Sequence, residues 1–148
     1  GVSSLNGWFR TLAIKNQESG SSRTFITVEE QGAIAGYYSL SSFTINRESA
    51  GDFGAEMPNP IPATLIGRLA VDQQFKGLGL GASLLQDAAV RAVDVSLQIG
   101  SAAIVVHTRD ESVVPFYERF GFFRLDGDLQ TLILPMNDAV ATLEKLRA

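Results

Sequence analysis

The chain has 148 residues, 45% of them hydrophobic, and a formal net charge of −4 from 12 Lys and Arg against 16 Asp and Glu. That suits one globular domain with a full core and excludes a disordered chain; no apolar run approaches the ~20 residues that cross a bilayer, and no signal peptide is visible. There are no cysteines and a single histidine, His107, which excludes disulfides, thiol nucleophiles and thiolate or multi-histidine metal sites, so no metal is expected and a cytoplasmic location fits.

In chain order, Leu5, Trp8, Leu12 and Ala13 follow helical spacing, with Ser3 or Ser4 as the cap. A Ser-rich loop over Glu18–Ser22 leads to a predicted strand at Arg23–Glu29. A turn at Glu30-Gln31-Gly32 joins it to a second strand at Ala33–Ile45, which makes a hairpin. Residues 46–63, with two glycines and three prolines, read as a long loop. A strand at Thr64–Val71 follows, then a glycine-rich turn. The next helix spans Gly81–Gln98, with Leu85, Ala88, Ala89, Ala92 and Val95 as its apolar stripe and Gly100 ending it. A strand at Ala102–His107 precedes a helix at Glu111–Phe120 stopped by Gly121. Phe122–Leu125 and Leu129–Leu134 flank Asp126-Gly127-Asp128 as a hairpin, and a helix over Asn137–Leu146 closes the chain.

The chemistry concentrates in the run RLAVDQQFKGLGLGASLLQDA, Arg68–Ala88. It reads as strand, turn and helix, with Gly77, Gly79 and Gly81 alternating through the turn. Glycine lets backbone approach a ligand closely. A turn opening into a helix aims unpaired N–H groups and the positive end of the dipole outward, which makes an anion site. The run has no Gly-Lys pair for a P-loop, and its GxGxG spacing is not the GxGxxG of a dinucleotide fingerprint.

The spacing resembles the pyrophosphate loop of GNAT-type N-acetyltransferases, Q/R-x-x-G-x-G-G/A. Two registers fit, Gln74 to Gly79 and Lys76 to Gly81. The second is preferred because, counted from Val71, it puts Lys76 where that family has Arg. About thirty residues on, AAIVVHTRDESVVPFYERFGFFRL contains Phe116-Tyr117 followed by Gly121-Phe122, similar to the FYxxxGF end of the same core. Three longer phrases, SLNGWFRTLAIKNQESGSSRTF, PNPIPATLIGRLAVD and VHTRDESVVPFYERFGF, resemble the bacterial toxins of toxin–antitoxin pairs that acetylate aminoacyl-tRNA. The likeness runs over nearly the whole chain.

The resemblance implies an α/β fold with a mixed central sheet flanked by helices, in one domain over 1–148, with acetyl-CoA as co-substrate. Its first strand is expected to fall before Gly1, which implies a truncated N-terminus. The backbone of Leu69, Ala70 and Val71 would hold the pantetheine arm, and one of those amides would polarise the thioester oxygen. Lys76, Gly77, Gly79, Gly81 and Ala82 would take the pyrophosphate. Tyr117 would be the general acid for the departing thiolate, since a free tyrosine, with a pKa of about 10, is protonated at pH 7.

No general base stands out among His107, Asp110, Glu111 and Glu118; His107 reads first as a structural hydrogen-bonder and Asp110 as a helix cap. An α-amine titrates near pH 8 and lysine near 10.4, so a missing base favours an α-amine such as that of aminoacyl-tRNA. An acidic chain counts mildly against a nucleic-acid partner. Residues 1–28, however, carry Arg10, Lys15 and Arg23 against Glu18 alone. Arg10, Lys15, Arg23, Arg68 and Arg109 are the candidates for RNA contact. A ribbon-helix-helix antitoxin and a homodimer are the implied partners, with no membrane. Two other readings stay open: a GNAT enzyme acting on a small amine or a protein, and an idle acyl-CoA-binding module, against which Tyr117 speaks.

Overall fold

The computed structural model describes residues 19–28, 32–75, 77 and 79–147. The expected N-terminal helix, with Arg10 and Lys15, lies outside the described residues. The elements are β1 (Arg23–Val28), β2 (Ile34–Ile45), a 3₁₀ segment (Arg47–Gly54), β3 (Ile61–Val71), a 3₁₀ turn (Gln73–Phe75), α1 (Leu80–Ser96), β4 (Ala103–His107), a 3₁₀ turn (Glu111–Val113), α2 (Val114–Phe120), β5 (Phe123–Leu125), β6 (Asp128–Pro135) and α3 (Met136–Arg147). The strands form a six-stranded sheet in the order β1-β2-β3-β4-β6-β5, the mixed α/β arrangement the sequence implies. The chain divides into two compact units, Gly1–Ser41 with Ile66–Ala88, and Ser42–Leu65 with Ala89–Ala148.

In the first unit, β1 and β2 pair antiparallel as expected, with Phe25 opposite Tyr38 and a bulge at Thr27/Val28. Residues Ala35 to Leu40 are buried without alternation, the pattern of a strand covered on both faces. Leu84, Leu85 and Ala88 of α1 are buried, and the stripe continues through Ala89 and Ala92. Val95, expected on that stripe, is 38% exposed. The helix unwinds there into tighter turns, with Gln98 N donating to Val95 O at 2.9 Å, and so ends before Gly100.

In the second unit, β4 and β6 pair antiparallel, from Ala103 opposite Pro135 to His107 opposite Thr131. Alternation splits these strands between two faces. On one face Ala103, Val105 and Ile133 join Ile45, Ala50, Ile61, Ala63 and Leu125 in a core that Phe43, Phe53, Met57 and Leu65 complete. Ile104, Val106, Leu132 and Leu134, also fully buried, face the other way. Ala102 N donates to Pro62 O at 2.8 Å. That bond joins the starts of β3 and β4, so the two run parallel, with α1 as the crossover.

Residues 46–63 are not the open loop the prolines and glycines suggest. Arg47–Gly54 coils into 3₁₀ turns, and β3 starts at Ile61 rather than Thr64. Asn46 starts the coil by accepting from Glu48 N at 2.9 Å, and Ala50 and Phe53 anchor it to the core. Gly51 sits at φ 57, ψ −135, and a Cβ there would meet the Asp126 carboxylate. Gly51→Ala is expected to lower unfolding free energy by about 1–3 kcal/mol, the usual cost of a Gly-only conformation, as measured by urea titration.

Candidate active site

The glycine turn belongs to the first unit. Leu69 and Val71 at the end of β3 are half-buried and Ala70 is buried. Asp72 then breaks the strand: its N–H donates to Ala35 O at 2.8 Å, and its side chain accepts from Gln74 N at 3.0 Å. Gly77 and Gly79 have φ values of +83° and +77°, the left-handed region that favours glycine. Among the described residues, nothing lies within 4 Å of where a Cβ would stand at either, so they leave the turn open on that side. Ser83 N donates to Gly79 O at 3.1 Å, which opens α1. Gly81 and Ala82 fall in its first turn, which carries no acidic residue. An open glycine face at a helix N-terminus free of carboxylates is suited to a diphosphate. Lys76 lies outside the described residues.

Tyr117 belongs to the second unit, on the seven-residue helix α2. Asp110 leads into that helix by accepting from Ser112 N at 2.9 Å and from its hydroxyl at 2.6 Å. Those bonds hold the Asp110 carboxyl below the usual range, so it acts as the expected cap. Glu111 is clamped by both terminal nitrogens of Arg124, which also donates to Leu129 O at 3.2 Å. Gly121, at φ +115°, stops the helix; its N–H donates to Glu118 O at 3.0 Å, and Phe122 N donates to Tyr117 O at 3.2 Å. The FYxxxGF pattern thus combines a helix and its left-handed terminator. The Tyr117 ring meets Phe116 and Phe122 edge-on at 5.0 and 5.5 Å. Burial pushes its hydroxyl up to about 12.

His107 ends β4 in the same unit. Its Nδ1 lies 3.0 Å from the Thr131 hydroxyl, which donates to Asp128 at 2.7 Å. Thr131 therefore accepts from Nδ1–H. Phe43 packs edge-on against the ring at 5.1 Å. Both His107 and Asp110 carry the structural roles that their sequence contexts suggested.

Of the expected RNA-contacting residues, Arg23 and Arg68 are exposed on β1 and β3, and Arg109 on the loop after β4. Burial raises the Tyr37 hydroxyl, partly offset by the charge of Arg68. Leu69–Val71, Gly77, Gly79, Gly81 and Ala82 thus share the first unit, and Tyr117 stands in the second. Sequence reasoning missed the Tyr38–Asp87, Glu111–Arg124 and His107–Thr131–Asp128 links. Their partners are 49, 13 and 24 residues apart across the first hydrogen bond of each, beyond any local periodicity. Among the described residues no cluster of His, Cys, Asp and Glu could hold a metal ion, and no helix is long and apolar enough to cross a membrane.

Residues 21–123 match the acetyltransferase (GNAT) domain. The chain belongs to the GNAT acetyltransferase family. As a GNAT protein it is an N-acetyltransferase. It is 38% identical over 144 residues to a tRNA-acetylating toxin of Mycobacterium tuberculosis, covering 97% of this chain and 86% of that one. The solved structure of AtaT complexed with acetyl-methionyl-tRNAfMet is 25% identical, with a TM-score of 0.87 over 100% of this chain and 88% of that one. A tyrosine-to-phenylalanine mutant of the AtaT toxin, bound to the C-terminus of the antitoxin AtaR and acetyl-CoA, is 26% identical. Its TM-score is 0.81 over 95% of this chain and 84% of that one.

Proposed function

We propose that this GNAT protein is an acetyl-CoA-dependent toxin that acetylates the α-amino group of aminoacyl-tRNA and so blocks translation. The observation that carries the reading is the 38% identity to a tRNA-acetylating toxin over 97% of the chain. The likeness to AtaT in complex with an acetylated aminoacyl-tRNA supports it.

Acetyl-CoA supplies an acetyl group activated as a thioester. The open turn at Gly77 and Gly79 and the first turn of α1 bind the pyrophosphate through backbone N–H groups. The Leu69–Val71 backbone holds the pantetheine arm, and one amide polarises the thioester oxygen. The neutral amine attacks the carbonyl carbon, an N–C bond forms and the C–S bond breaks. The nitrogen loses one proton and the thiolate gains one. The general acid that supplies the thiolate's proton is assigned to Tyr117, whose buried hydroxyl stays protonated. No side chain need remove the first proton, because an α-amine is substantially neutral near pH 8.

A ribbon-helix-helix antitoxin, a homodimer and a cytoplasmic site of action, where charged tRNA is found, belong to the same reading. Arg10, Lys15, Arg23, Arg68 and Arg109 are its RNA-contacting residues. Reversing charge at Arg10, Lys15 and Arg23 together should raise KM for charged tRNA, flatten its salt dependence and leave acetyl-CoA affinity unchanged. A KM for tRNA that stays at the wild-type value would remove these residues from the RNA surface.

A further inference from the structure

The glycine turn is held at both ends by one short stretch of β2. At its start, Asp72 N donates to Ala35 O at 2.8 Å. At its end, α1 is pressed onto the next residue: a Cβ on Gly36 would stand 2.7 Å from Leu84 Cδ1, 2.9 Å from Ala70 O and 3.6 Å from Leu80 Cδ2. Two residues on, the Tyr38 hydroxyl donates to the Asp87 carboxylate. Gly36 and Tyr38 share one face of the strand, because side chains repeat every second residue. Leu80, Leu84 and Asp87 share one stripe of the helix at i, i+4 and i+7. The two contacts therefore run in step, one closing the helix onto the strand and the other fixing its rotation.

We infer that Tyr38 and Asp87 are positioning residues that set the aim of the pyrophosphate-binding turn. The inference rests on reading that turn as the acetyl-CoA site. Asp87 lies seven residues into α1, about 10 Å along the axis from Leu80, so it acts through the helix and not on the ligand. Tyr38 is 1% exposed and stacks on Phe25 with centroids 5.2 Å apart, which makes it a fixed post. The carboxylate reaches in to it from an exposed helix position. A charge-assisted hydrogen bond is directional where an apolar contact is not. A helix free to turn on its stripe would swing its first N–H groups away from the anion, and misplacement by ~1 Å is enough to lose binding geometry.

The test compares Tyr38→Phe, Asp87→Ala and Asp87→Asn in the full chain. Calorimetry reads the affinity for acetyl-CoA and for S-acetylpantetheine, which lacks the pyrophosphate, and thermal melting reads the fold. Tyr38→Phe and Asp87→Ala should each weaken acetyl-CoA about tenfold, the order of a hydrogen bond to a charged group, and the double variant no more than either alone. Asp87→Asn, which keeps an acceptor oxygen, should retain most of the affinity. S-acetylpantetheine should bind all of them alike. Wild-type acetyl-CoA affinity in folded variants overturns the inference, as does an equal loss of both ligands tracking a lowered melting temperature. Wild-type protein that binds neither ligand overturns the site reading and the inference with it.

Discussion

Gly79→Glu is expected to abolish acetyl-CoA binding while the fold survives. Gly79 belongs to both registers of the glycine motif and sits at φ +77°. A side chain there carries a left-handed penalty of about 1–2 kcal/mol, tolerable for a domain of this size. It would crowd none of the described residues, since none of them lies within 4 Å of its Cβ. The open side it would enter is the proposed place of the pyrophosphate. Like charges about 4 Å apart near a protein surface repel by about 4 kcal/mol, so affinity should fall by well over about 100-fold. Calorimetric titration with the melting curve as control reads this directly. A folded variant with wild-type affinity would remove the turn from the cofactor site.

Tyr117→Phe should keep the fold and acetyl-CoA affinity and lower turnover by about 10²–10⁴-fold, the usual share of general acid catalysis. The substitution preserves the ring that packs between Phe116 and Phe122 and removes only the hydroxyl. Burial raises that hydroxyl to about 12, so it stays protonated through any assay range and donates wherever the amine is neutral. The kcat–pH profile of the wild type should rise with deprotonation of the substrate amine and show no descending limb from Tyr117 below about pH 10. The linkage has the matching sign. Below the unfolded value of about 10 the hydroxyl is protonated in both states, and stability falls as pH rises from there through about 12. Near-full turnover in a folded variant would leave Tyr117 as a packing residue.

The elements that were legible in the sequence are those with short-range signals. The β1–β2 hairpin has a turn between two apolar runs, α1 has its alanine stripe, and α2 has Asp110 at its start and Gly121 at its end. The 3₁₀ segment at Arg47–Gly54 was not legible, because glycines and prolines mark turns without saying whether those turns pack. Here Asn46 and the buried Ala50 decide it. In the candidate site, the glycine spacing and the FYxxxGF pattern were visible because each is contiguous. The tether from Tyr38 to Asp87 was not, since Asp87 reads on α1 as one more exposed carboxylate. The Tyr117 hydroxyl was expected near its free value, and burial between two phenylalanines, which no spacing reveals, moves it upward.

The central claim is that the acetyl acceptor is the α-amine of a charged tRNA. The most direct measurement incubates the protein with acetyl-CoA carrying a labelled acetyl group, a total charged tRNA pool, uncharged tRNA, a lysine-bearing protein mixture and small amines. The products are then separated and the labelled atom located by mass spectrometry. The account predicts N-acetyl-aminoacyl-tRNA, labelled on the α-nitrogen, with uncharged tRNA unlabelled and formation suppressed steeply by salt. Label found only on protein lysines or small amines would contradict it and leave an acetyltransferase of another acceptor.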